Sequence, residues 1–81
     1  MPNGYTTGRT LTLSKTIAAI DIREGFAGQR LGLMSQLQPG TTLQICGPGF
    51  NERTIEIESA GRHYIVFLED LRTRAYDAVQ N

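Results

Sequence analysis

The stretch Arg53-Thr54-Ile55-Glu56-Ile57-Glu58, followed by Ser59-Ala60-Gly61 and then His63-Tyr64-Ile65-Val66-Phe67, decides how this chain is read. Its first part alternates apolar and polar residues. Ile55 and Ile57 therefore share one face of a strand, and Thr54, Glu56 and Glu58 share the other. Ser59-Ala60-Gly61 reads as a hairpin, with Gly61 suited to the positive φ of a bulged turn. The last part is apolar on both faces, with Ile65 and Phe67 expected inward and Tyr64 and Val66 outward. A strand of that kind needs cover on both sides.

Working outward, Thr41 to Cys46 alternates in the same way, with Leu43 and Ile45 inward, and Gly47-Pro48-Gly49 is a turn. The three strands should be consecutive and antiparallel, with Leu43, Ile45, Ile55, Ile57, Ile65 and Phe67 in one core. On the C-terminal side, Glu69-Asp70 suits a helix start, and Leu68, Leu71, Ala75 and Val79 lie at helical spacing. This predicts a terminal helix from Asp70 to Ala78. On the N-terminal side, Thr10 to Leu13 is a strand with Leu11 and Leu13 on one face. Ile17 to Ile22 resumes the pattern out of phase, which calls for a bend or bulge near Ser14-Lys15 or Ala18-Ala19, or else a helical turn capped by Ser14. Arg23 to Gln38, with three glycines, reads as a loop excursion with a short amphipathic turn around Leu33 and Leu37. Residues 1–9 read as a loose arm, and residues 10–81 as one small domain.

Composition narrows the function classes. Eighty-one residues cannot build two cores. A chain that is 40% hydrophobic and 20% charged is not disordered throughout. Eight basic residues balance eight acidic ones, so the overall charge expected of a nucleic-acid binder is missing. Seven of the eight basic residues are arginine, a weak lean toward contacts with a partner. A local patch of Arg62, Arg72 and Arg74 beside Tyr64 or Tyr76 would be the RNA-binding alternative. Cys46 is the single cysteine, which excludes an intrachain disulfide and fits a reducing, cytoplasmic setting. The longest apolar run, Ile65 to Leu68, is far too short for a bilayer, so no membrane partner is expected.

The second half also carries a resemblance. Leu37-Gln38-Pro39-Gly40-Thr41 leads through Leu43-Gln44-Ile45 and Ile55-Glu56-Ile57 into Gly61-Arg62-His63-Tyr64-Ile65-Val66-Phe67 and Asp70-Leu71. This run of turns and strands resembles bacterial SH3-like small barrels. The resemblance implies a mainly β fold, a small SH3-like antiparallel barrel with a C-terminal helix. It does not bring the peptide groove of eukaryotic SH3 domains, because the chain has no tryptophan and no clustered acidic loop with neighbouring aromatics.

No catalytic, cofactor or metal residues are assigned from the sequence. His63 lies near a strand start with Glu58 across the hairpin, but no nucleophile or second histidine accompanies it. Cys46 faces away from Leu43 and Ile45 and reads as a small hydrophobe at a strand end. Gly25 to Gly32 matches no phosphate-binding loop. Glu69 and Asp70 diverge on a helix and serve its N-terminus. One histidine and one cysteine do not make a zinc site within one chain.

The expectation is a non-enzymatic protein–protein interaction or assembly module. It would self-associate, most simply as a dimer, or bind another protein, with Gln29, Arg30, Arg62, Tyr64 and Val66 as candidate contacts. The alternatives are a small nucleic-acid-binding barrel and an oligomeric enzyme with its site between subunits.

Overall fold

A computed structural model describes residues 5–25 and 28–77, with side chains described at residues 5–22 and 32–77. The strands are β1 (Thr10–Leu13), β2 (Ile17–Gly25), β3 (Gly28–Leu37), β4 (Thr42–Pro48), β5 (Thr54–Ser59) and β6 (Arg62–Phe67). The helix α1 (Leu68–Arg74) follows, and then β7 (Ala75–Asp77). All pair antiparallel in one seven-stranded sheet ordered β3-β2-β6-β5-β4-β1-β7. The sheet is not closed into a barrel, since β3 and β7 are not paired with each other. It still serves a single core. Leu11 and Leu13 from β1, Ile17 from β2, Leu37 from β3, Leu43 and Ile45 from β4, and Ile55 and Ile57 from β5 pack with Val66, Leu68 and Leu71.

The register of the central hairpin follows from its turn. Ala60 and Gly61 both have positive φ, 53° and 80°. Ser59 faces Arg62 directly, so the loop is two residues long, not the bulged turn expected. Ile55 therefore opposes Val66, and Ile57 opposes Tyr64. Val66 is fully buried and Tyr64 packs against the core, while Phe67 is 41% exposed. This corrects the sequence reading of β6. A three-residue loop would have set Ile65 against Ile55, and removing one loop residue exchanges the two faces. Ile65 is still buried, but on the opposite face.

Two further expectations change. Arg23 to Gln38 is not a loop: β2 and β3 pair from Ile17↔Leu37 to Gly25↔Gly28, with a bulge between Ile20 and Ile22. Strand pairing satisfies more backbone groups than one amphipathic turn would, and it leaves Leu33 and Met34 on the surface. The helix begins and ends earlier than its apolar spacing suggests. Ala75 to Asp77 instead take the free edge of β1, pairing with Leu11 to Leu13, and the Arg74 carbonyl accepts from Ser14 N at 2.7 Å. Val79 lies outside the described residues. Between β1 and β2 the chain bends at Ser14-Lys15 without a helical turn. Glu69 and Asp70 do occupy the first turn of α1, and Arg72 and Arg74 the last, each sign opposite the helix dipole end it faces.

Residues 5–9 are tied to this body. Gly8 N donates to the Ile45 carbonyl and Ile45 N to that of Arg9, each at 2.8 Å. Arg9 lies over the Tyr5 ring and pairs with Asp77 at 2.7 Å. The turn entering β5 is fixed as tightly. Thr54 is buried, and its Oγ1 accepts from Asn51 N at 3.2 Å. A Cβ on Gly49 would come within 2.7 Å of the Thr54 carbonyl carbon, so that position excludes any side chain.

The left-handed conformation at Ala60 disfavours a residue with a Cβ by about 1–2 kcal/mol, and asparagine tolerates it better. Ala60→Asn is therefore expected to raise the melting temperature by several degrees, read by thermal unfolding. An unchanged or lowered temperature would contradict the two-residue turn.

Candidate functional site

The face of the sheet away from the core carries the chemistry. On β5 and β6, Glu56 opposes Ile65 and Glu58 opposes His63. Residues diagonal to one another across such a pair lie within side-chain reach. His63 uses that diagonal: its Nδ1 lies 2.9 Å from Glu56 Oε2, so its partner is Glu56 and not Glu58. Cys46 arrives from β4 through a bulge. Ile45 opposes Ile57 and Gly47 opposes Glu56, leaving Cys46 as the extra residue between them. A bulge of this kind re-aims a side chain. Here Cys46 Sγ ends 3.9 Å from His63 Nδ1. The ligand atoms of Cys46, Glu56 and His63 all lie within 4.8 Å of one another.

This trio is not built as a nucleophile and its base. A carboxylate oxygen accepts, so the Nδ1–Glu56 hydrogen bond places the proton on Nδ1. Cys46 approaches the same nitrogen, which then has no lone pair to take the thiol proton. The thiol is also within 3.8 Å of the Gln44 carbonyl, an alternative acceptor. Partial burial pushes the Cys46 thiol above its ordinary pKa, and the negative charges of Glu56 and Glu58 push it further. A catalytic cysteine needs the opposite shift.

The contacts expected from sequence lie on two strands, β6 and β3. Arg62 pairs with Asp21 at 2.9 Å, at the point where β2 leaves β6. Tyr64 lies partly buried against the core, and Val66 is inside it. The backbones of Gln29 and Arg30 belong to β3, opposite Glu24 and Arg23. Their side chains lie outside the described residues. The arginines of the RNA-binding alternative do not converge. Arg72 pairs with Glu69 at 2.9 Å and Arg74 donates to the Thr16 carbonyl at 3.2 Å, so each is engaged separately from Arg62.

Two features escaped the sequence. The trio is not visible in the sequence because one cysteine and one histidine need a carboxylate to complete a donor set, and nothing in Thr42–Pro48 announces the bulge that brings them together. A carboxylate two residues from Glu58 on the same strand face was the available signal. The second feature is an exposed apolar surface beside the trio. Met34 opposes Ile20, which opposes Ile65, and Phe67 is two residues further along the same face. Leu33 is 78% exposed and Met34 61%. Among the described residues no helix is long and apolar enough to cross a membrane. No protein-family model matches the chain, and no curated protein or solved structure does so either.

The electrostatics of Cys46 have a measurable consequence. With a chelator present, the pH midpoint for its alkylation by iodoacetamide should lie above that of an unstructured cysteine peptide. Glu58→Gln should lower that midpoint. A midpoint at or below the peptide's would contradict the geometry.

Proposed function

We propose that this chain is a non-enzymatic assembly module that pairs with a second copy of itself along the free edge of β3. The observation that carries the reading is the described edge segment Gly32 to Leu37. It has no strand partner on its outer side among the described residues, and it exposes Leu33 and Met34. An open edge presents a row of backbone donors and acceptors to another chain. Natural edge strands are commonly blunted by lysine or proline, and β3 contains neither. Its ten residues are also long for an unprotected edge. Two copies of β3 running antiparallel would make an isologous twofold contact, continuing the sheet with main-chain hydrogen bonds. A net charge of zero offers little long-range repulsion between copies.

The same features support an interaction role over catalysis. The one cluster of reactive side chains among the described residues lacks a general base for its thiol. The progression from short strands through β6 into α1 and a last strand beside β1 also supports kinship with SH3-like small domains. The open sheet would be a departure from their barrels.

Sedimentation equilibrium tests the proposal. The wild type is expected at twice the 8.9 kDa chain mass at micromolar concentration. The double variant Leu33→Lys, Met34→Lys should sediment as a single chain, with stability within about 0.5 kcal/mol per exposed site. A monomeric wild type would end the reading, as would a dimer unaffected by the two charges.

A further inference from the structure

We propose that Cys46, Glu56 and His63 form a binding site for one zinc ion, with a fourth coordination position open to an external ligand. The argument begins with convergence. Three side chains from three adjacent strands, β4, β5 and β6, bring a sulfur, an oxygen and a nitrogen to one place on the sheet face. These are the donor types that zinc takes, at bond lengths near 2.0–2.3 Å. Tetrahedral angles at those lengths set neighbouring donors about 3.4–3.6 Å apart. Sγ to Nδ1 measures 3.9 Å and Nδ1 to Oε2 measures 2.9 Å. Both separations lie within about half an ångström of the tetrahedral values, and Sγ and Oε2 lie within 4.8 Å of one another.

The second argument concerns which atoms meet. Cys46 and Glu56 both approach Nδ1 of the same imidazole. A single nitrogen cannot serve both in a proton relay, whereas three donors aimed at one point are what an ion requires. The bulge at Cys46 strengthens this reading. Regular pairing of β4 with β5 would not leave an extra residue opposite Glu56, and the bulge turns that residue toward the other two. A soft sulfur beside an imidazole and a carboxylate favours zinc over magnesium or calcium, which prefer oxygen alone. Zinc would bind Nδ1 of the neutral imidazole, whose single proton then sits on Nε2, and would displace the thiol proton to solvent as the Sγ–Zn bond forms. Three protein ligands leave one position for water or for a donor from another molecule.

Isothermal titration of the full reduced chain with zinc chloride is the test, with cobalt as a spectroscopic substitute. One ion per chain is expected, and cobalt should give a thiolate-to-metal charge-transfer band. Cys46→Ser, Glu56→Gln and His63→Ala should each weaken zinc binding by at least about tenfold, the least that loss of even an outer-sphere partner produces. Glu69→Gln, on α1, should bind as the wild type does. Circular dichroism of each metal-free variant separates lost ligands from lost fold. The proposal is overturned by no charge-transfer band, by half an ion per chain, or by folded Cys46→Ser and His63→Ala variants that bind as tightly as the wild type.

Discussion

The two-residue turn at Ala60-Gly61 is the constraint on which the rest of the structure depends. Left-handed backbone at both positions gives the loop the twist that matches the strands beside it. That loop length fixes Ser59 against Arg62, and every later pair in the hairpin follows. Ile55, Ile57 and Val66 are thereby fully buried at the centre of the sheet. Truncating a buried isoleucine of this kind removes about 2–5 kcal/mol, a large share of what a small domain has in total. A slip of one residue would exchange the faces of β6, exposing Val66 and turning His63 toward the core.

The same register determines the chemistry outside. It sets His63 diagonal to Glu56, and the bulge in β4 adds Cys46. The outer face then divides. Its β3-β2-β6 half carries Met34, Ile20, Ile65 and Phe67, while its β5-β4 half carries Glu56, Glu58, Cys46 and, at its border, His63. The apolar half adjoins the open edge of β3, where a second copy is proposed to pair. The polar half holds the proposed zinc ligands. The three proposed ligands are not among the core residues, whereas Ile65 in the apolar half is itself buried.

Strand existence was legible because period-two alternation is a direct consequence of the pleat: Leu43, Ile45, Ile55 and Ile57 were placed inward and are buried. The face assignment of β6 was not legible, because its residues are apolar on both sides and only the turn length distinguishes them. Arg23 to Gln38 misled through its glycines, which locally suggest a loop, while its partner strand is supplied by the chain just before it. Leu71 and Ala75 have helical spacing, but the unpaired edge of β1 recruits Ala75 into a strand. The donor trio depends on a bulge with no sequence signature, so Cys46 could be assigned to the right face without its neighbours being known.

Cross-strand nuclear Overhauser contacts in the β5–β6 hairpin measure the register most directly. The account predicts backbone contacts of Ile55 with Val66 and of Ile57 with Tyr64, and a positive φ at Ala60 from its coupling constants. Contacts of Ile55 with Ile65, together with Phe67 ring protons against Leu71, would contradict it.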